Sequence, residues 1–299
     1  MASLADVCPK PLLPICNRPI MQYQIDAFRE AGINKIYCVV GHARQAFEHA
    51  VHTPPGMEIE YVTQVSPLGI AHAVLQMEPA INGPFLLILG DIFIHPLSFL
   101  GMLEIRKAQQ AGAVLAARLE DNAEMIRRNF AILQDEAGRV RRVIEKPRHV
   151  PNRLKGCGLY LFEPSVFDSI RRTPRTAMRD EYEITTTVQI LIDNGFPVYA
   201  AEVLDWDMNI TFASDLLACN LRQLRRMGGD SCISDRATVH PEASISASVI
   251  GPDAEIVEPI RVTESVVLPG AKVTGSEDLL RAVVGPDGAT VRCLDPVSW

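Results

Sequence analysis

Apolar residues follow two different rhythms along this 299-residue chain, and the rhythm changes near residue 228. Up to about residue 220, helical and extended patterns alternate. Met21, Ile25 and Phe28 recur at helical spacing in an amphipathic segment that Gly32 closes. Residues 35–40 form a short, mostly apolar run ending at Gly41, as a buried strand of a parallel sheet does. Residues 43–52 then read as helix, 57–62 as strand, 70–76 as helix and 85–89 as a second buried strand. This alternation predicts an α/β fold, a parallel sheet with helices on both faces. In such a sheet, functional residues gather at the carboxyl ends of the strands.

Beyond Gly228 and Gly229 the helical period disappears. Aliphatic residues recur every sixth position in two runs, Ile233, Val239 and Ile245, then Ile250, Ile256, Val262 and Leu268. The segments beginning at Ile250, Leu268 and Val284 are variants of one unit built on a Pro-Gly or Gly-Pro turn. A six-residue period predicts one short strand and one tight turn per side of a three-sided solenoid. The alternative is an irregular all-β tail. The expected organisation is a first domain over 1–220, a linker over 221–231 and a repeat domain over 232–299, with a helix over 216–227 at the join.

Composition narrows the class. A hydrophobic fraction of 47% and a charged fraction of 22% fit a globular protein. No apolar run nears the roughly 20 residues of a membrane span, and no signal peptide pattern opens the chain. A net charge of -7 argues against nucleic acid as a partner. Seven scattered cysteines without a C-x-x-C pair predict reduced thiols, no zinc site and a cytoplasmic location.

Read alone, the polar residues leave choices open. Asp91 closes an apolar run and is either a loop acid or a Mg²⁺ ligand. Lys10, between two prolines, is a solvated lysine or a phosphate contact. Pro67-Leu68-Gly69 is a turn before a helix, and Glu145-Lys146 a rim ion pair or a ligand pair. His72 reads as structural.

Several motifs in order remove much of that choice. Pro9-Lys10-Pro11-Leu12-Leu13-Pro14 resembles the P-K-P-L-L-P that ends the N-terminal signature of sugar-1-phosphate nucleotidyltransferases. Gln64-Val65-Ser66-Pro67-Leu68-Gly69 resembles their Q-x-x-P-x-G, and Leu89-Gly90-Asp91 the L-G-D of glucose-1-phosphate thymidylyltransferases. Glu145-Lys146-Pro147, Gly156 to Phe162, Asp180 to Thr185 and Trp206 to Asn220 resemble the remaining blocks. The resemblance covers about residues 1–220. It implies a Rossmann-like mixed sheet with helices on both faces and, at the C-terminus, a left-handed parallel β-helix of hexapeptide repeats.

It also implies a reaction, in which a nucleoside triphosphate (dTTP or UTP) and a sugar-1-phosphate give a nucleotide sugar and pyrophosphate with Mg²⁺ as cofactor. The implied roles are Asp91 and Asn209 on Mg²⁺ with Asp207 in reserve, and Lys10 on the nucleotide phosphates. Gln64 and Gly69 would meet the base, Lys146 the sugar phosphate, and Glu145, Gly158 and Glu183 the sugar. A homo-oligomer is expected. Three further features bear on this reading. Phe130 stands where relatives have a glycine under the hexose, and so predicts a crowded sugar pocket. Arg171, Arg172, Arg175 and Arg179 form a basic run that is either a solvated face or an anion or subunit contact. Met1 and Leu4 align inside the signature, so its Gly-rich loop, its Arg and the first strand are expected from upstream codons. The alternative is a non-catalytic regulatory or sugar-nucleotide-sensing subunit, and an acyltransferase centred on the repeats is disfavoured because they are few and irregular.

Overall fold

The computed structural model describes residues 8–177 and 180–293, so Met1, Leu4 and Arg179 lie outside the described residues. A hairpin of two short strands, β1 (Pro14–Ile15) and β2 (Arg18–Pro19), leads into helix α1 (Ile20–Glu30). There follow β3 (Lys35–Val40), α2 (Arg44–Ala50), β4 (Glu58–Thr63), α3 (Ile70–Leu75), β5 (Phe85–Ile88) and β6 (Ile92–Pro96). Then come α4 (Leu100–Gln109), β7 (Ala113–Leu119), α5 (Ala123–Arg127), β8 (Phe130–Gln134), β9 (Val140–Glu145) and β10 (Leu154–Phe162). Helices α6 (Val166–Arg171) and α7 (Ile184–Asp193), strands β11 (Val198–Ala201) and β12 (Leu204–Asn209), and helix α8 (Ala213–Arg226) complete this part. The last of these runs past residue 220 to Arg226, where the sequence predicts a helix over 216–227 at the join.

The sheet is mixed, not parallel. Strand β10 pairs antiparallel with β5, β7 and β8, while β11 runs parallel to β7. Apolar runs buried on both faces report burial but not direction; direction comes from the connections. Strands β8 and β9 are joined through a tight turn at Asp135–Arg139, and a turn that short forces an antiparallel pair. Strand β10 carries a register shift between Gly156 and Tyr160, with Gly158 at φ +64°, where an added Cβ would overlap Ile92. A glycine there lets the strand bend over β6 without a clash.

A gap divides the sheet. Among the described residues β3 pairs only with β4, and β5 only with β10. Between their facing edges lies a cavity of about 920 Å³ lined by Met21, Phe28, Tyr37, Val39, Leu86 and Ile88, among others. The first strand expected from the family signature has no counterpart among the described residues. Strands β6 and β12 form a separate antiparallel ribbon, with Asn209 opposite Ile92 and Trp206 opposite His95.

C-terminal to α8, short strands stack in three parallel ladders. Cys232, Val249, Val266 and Val283 follow one another up the first; Thr238, Glu255 and Lys272 up the second; Ile245, Val262 and Leu279 up the third. Stacked residues lie 17 apart, not 18. One side of each turn is therefore a residue short, and a serine ladder makes that corner. Ser231 Oγ accepts from the Ser248 N–H, Ser248 Oγ from the Ser265 N–H, and Ser265 Oγ from the Ala282 N–H, at 3.0–3.3 Å. The shortened side corrects the sixfold pattern at one place: Val267, not Leu268, joins the inner stack, and Leu268 faces outward against the first domain. The Val284 segment is not a further turn. Gly285 N–H bonds Ala289 O at 2.9 Å, and residues Thr290–Arg292 return antiparallel to Ala282–Val284, ending the stack.

One apolar cluster joins the two parts. Leu13, Ile15, Phe93, Leu216 and Leu217 share it with Val249, Val266 and Val283, so α8 lies against the outer face of the first ladder.

Candidate active site

Lys10 sits in a single 3₁₀ turn, Lys10–Leu12, which follows the extended backbone of Pro9. The Pro11 ring lies so close to Gly90 that an added Cβ would meet its Cγ at 2.7 Å. That contact brings the lysine to the end of β5, and Lys10 Nζ lies 3.4 Å from Asp91 Oδ2. Both side chains are about one-third exposed, 31% and 32%, so the pair remains open to solvent and ligand.

Asp91 links β5 to the ribbon, and its carbonyl accepts the Ile210 N–H at 3.0 Å. The end of β12 is thereby held beside it. Here Asn209 Nδ2 donates to Asn129 Oδ1 at 3.2 Å, and Asn129 Nδ2 donates to Met125 O at 2.8 Å. A carbonyl oxygen only accepts, so Met125 fixes which way the Asn129 amide faces, and Asn129 fixes Asn209. Asn209 Oδ1 is left buried without a hydrogen-bond partner. A buried carbonyl oxygen of this kind costs about 1–3 kcal/mol unless something addresses it. Asp207, two residues earlier, is not available as a substitute. It is 1% exposed, accepts Lys155 Nζ at 2.7 and 2.8 Å and Arg118 Nε at 2.8 Å, and Lys155 is itself fully buried.

Gln64 follows β4, tied by its N–H to Val40 O at 2.7 Å. Its Nε2 lies 2.9 Å from His72 Nδ1, and His72 stacks on Tyr182 at 6.2 Å between ring centres. So His72 has a partner of its own: it holds Gln64. Gly69 has φ +109°, and an added Cβ would meet the Tyr182 backbone N and O at 2.7 Å. The glycine is required by this docking, which the Tyr182 N–H to Leu68 O and Ala71 N–H to Tyr182 O bonds complete. Lys10, Gln64, Gly69 and Asp91 all line the large cavity.

The sugar-side candidates gather elsewhere. Glu145, at the end of β9, accepts Thr185 Oγ1 at 3.1 Å. Glu183 immediately precedes α7 and is 7% exposed. Burial first, then the Glu145 and Glu183 carboxylates among other neighbours, hold the Tyr160 phenol well above its ordinary range, so both acids lie near one ring. Lys146 is exposed, adopts φ +41°, and its N–H donates to Asn129 O at 2.8 Å. Asn129 thus touches both the Asn209 side chain and the Lys146 backbone.

Phe130 resolves differently from expectation. Its ring covers Gly156, where an added Cβ would overlap it, and stacks on Tyr160 at 6.0 Å, which stacks on Phe162 at 5.5 Å. At 4% exposure the ring belongs to the core. The described part of the basic run is internally paired: Arg171 with Glu78 and Asp168, Arg172 with Asn194, Arg175 with Asp180. Asn129, Thr185, Tyr160 and Lys155 were not anticipated. Tyr160 and Thr185 lie inside matched blocks, but nothing in the sequence gives any of the four a role, since each acts through residues distant in the chain.

The family model for nucleotidyl transferases matches residues 2–209. The low-salt glycan biosynthesis nucleotidyltransferase Agl11 of Haloferax volcanii is 30% identical over 246 residues, spanning 81% of this chain and 66% of that protein. A glucose-1-phosphate thymidylyltransferase of Streptomyces griseus is 27% identical over 311 residues, spanning 92% of this chain and 86% of that one.

The chain belongs to the sugar-1-phosphate nucleotidyltransferases.

A UTP–glucose-1-phosphate uridylyltransferase, AglF of Haloferax volcanii, is 29% identical over 209 residues, or 69% of this nucleotidyltransferase chain and 84% of AglF. Among solved structures, a UDP-glucose pyrophosphorylase with UDP-glucose superposes with a TM-score of 0.64 at 21% identity, over 75% of this chain and 93% of that one. That likeness concerns the fold. No helix among the described residues of this nucleotidyltransferase is long and apolar enough to cross a membrane.

Proposed function

We propose that the chain transfers a nucleotidyl group from dTTP or UTP to a sugar-1-phosphate. An oxygen of the sugar phosphate attacks the α-phosphorus, the bond to the bridging α–β oxygen breaks, and pyrophosphate leaves with that electron pair. The reaction needs positioning and charge neutralisation more than proton transfer. The observation that carries the reading is Asn129, which ties an acid–amide–lysine group (Asp91, Asn209, Lys10) to a second group holding Glu145 and Lys146.

Asp91 and the unpartnered Asn209 carbonyl are hard oxygen donors at adjacent strand ends, and they suit Mg²⁺, which takes one or two protein oxygens with substrate phosphates. No group of three or more His, Cys, Asp or Glu among the described residues offers a richer site. When bound, the ion neutralises triphosphate charge. Lys10, beside Asp91, turns its ammonium to the nucleotide phosphates. Gln64, held by His72, presents its amide oxygen to a base N–H, as thymine and uracil provide. Glu145 and Glu183 receive sugar hydroxyls, Gly158 shapes the strand beneath them, and exposed Lys146 meets the sugar phosphate. We read the C-terminal ladders as a left-handed parallel β-helix that serves a homo-oligomer, with the unit boundary after α8.

Mg²⁺-dependent pyrophosphate release should be followed across a panel of sugar-1-phosphates and nucleotides, for this chain and for one extended by its upstream codons. Turnover that Lys10→Ala and Asp91→Ala each lower at least about 10²-fold supports the reading. No turnover from either chain returns the protein to the sensing-subunit alternative, which the family relatives do not favour.

A further inference from the structure

The β6–β12 ribbon has a second end. His95 lies four residues from Asp91 along β6, about 13 Å at strand rise. There His95, Asp205, Arg222, Arg225 and Arg226 line a cavity of about 290 Å³ that contains none of the residues assigned to the reaction. Two of these guanidiniums, Arg222 and Arg226, share one carboxylate, Asp205.

That carboxylate does not satisfy them. Arg222 and Arg226 address the same Asp205 oxygen from 3.7 and 3.9 Å, both beyond hydrogen-bond reach. The Arg222 guanidinium lies over the Trp206 ring at 4.8 Å, which orients it but gives it no acceptor. Burial, joined by the charges of Arg118, Arg226 and Arg225, pushes Arg222 below its ordinary value even though Asp205 pulls the other way.

His95 supplies the independent observation. It is 5% exposed, and its Nε2 lies 3.0 Å from Gln223 Oε1. An amide oxygen accepts, so Nε2 carries the hydrogen and Nδ1 the lone pair. Nδ1 is buried with no partner. Burial first, then the charges of Arg226 and Arg222, hold the imidazole below its ordinary pKa against the pull of the Gln223 bond and Asp205, and an anion beside those arginines would oppose their effect. Protonated, the same atom becomes a donor to an oxyanion.

We propose that this cavity binds a phosphoryl dianion, gripped by Arg222 and Arg226 and capped by a hydrogen from His95 Nδ1, at a site separate from the catalytic cavity. Two guanidiniums one helical turn apart suit the several oxygens of a tetrahedral anion. The cavity exceeds a bare phosphate, leaving room for a small esterified group.

Calorimetric titration of the full chain with inorganic phosphate tests this. Binding should be saturable, at least 10-fold weaker in the Arg222→Gln/Arg226→Gln double variant, and retained in Lys10→Ala. An affinity indifferent to the arginine substitutions, or abolished by Lys10→Ala, overturns the proposal. If the double variant fails to fold, Arg226→Gln, at an exposed position, takes its place. The imidazole nitrogen resonances give a second readout: phosphate should shift His95 to its doubly protonated form, and an unchanged His95 overturns the assignment. Glycerol 3-phosphate in parallel separates the sources, since tighter binding of the ester assigns the site to a phosphorylated small molecule, and tighter binding of phosphate to the free ion.

Discussion

Asn209 donates its amide hydrogen to Asn129 Oδ1 at 3.2 Å, and its carbonyl oxygen is left buried with no hydrogen-bond partner. Asn129 is in turn held by Met125 O at 2.8 Å. The orientation of a proposed ligand is thus set by a residue that touches no substrate.

Asn129→Ala should therefore weaken metal binding more than it weakens the fold. Losing a partner that orients a ligand typically costs 10–100-fold in metal affinity. The Mg²⁺ concentration for half-maximal turnover should rise by about that factor, with a similar weakening of Mn²⁺ binding in the presence of nucleotide, read by electron paramagnetic resonance. An unchanged Mn²⁺ affinity would show that the amide chain orients nothing.

Asp207 should behave in the opposite way. Its carboxylate lies between fully buried Lys155 and Arg118. Asp207→Asn leaves a buried ammonium uncompensated, at a cost of about 3–5 kcal/mol. Urea unfolding should show this loss. A stable variant with altered Mg²⁺ dependence would instead return Asp207 to the metal side.

Phe130 and Gly156 face each other across paired strands. Gly156→Ala forces a methyl into the Phe130 ring and should cost about 1–3 kcal/mol, as overpacking does. Phe130→Ala opens a cavity, at about 3–5 kcal/mol. The double variant should be less destabilised than the sum of the two, with a coupling of about 0.5–3 kcal/mol. Additive denaturation energies would mean that the ring does not occupy the space over Gly156.

The thiols predict an alkaline limit. Burial raises Cys16 and Cys38 from their ordinary 9.0 to about 12, and Cys8 to about 11. The folded state keeps these protons longer than the unfolded state, so the unfolded chain binds fewer protons above pH 9. Stability from these groups is complete below that pH and declines as pH rises towards 11–12. Melting temperature should fall over that window. At pH 8 a thiol-disulfide reagent should titrate all seven cysteines only after denaturation. Rapid reaction of Cys16 in the native protein would contradict its burial.

Much of this protein is legible in its residues. Apolar runs located the strands near 35–40 and 85–89, which are only half-buried because they flank the cavity, and helical spacing located α1, whose inward face burial makes periodic. The order of short motifs identified the family and named Lys10, Asp91 and Asn209. The change of period near residue 228 announced the ladders.

Tertiary structure decided what depends on partners distant in sequence. Strand direction in the mixed sheet follows from connections, not from hydrophobicity. The 17-residue turn follows from serine hydroxyls that bond one turn away. Asp207 and Asn209 look equivalent two residues apart on one strand, yet Lys155 claims the first, while Asn129 takes the amide hydrogen of the second and its carbonyl oxygen stays unpartnered. A side chain's chemistry is written in the sequence; which donor reaches it, and which atom it leaves free, is settled only when separate strands are brought together.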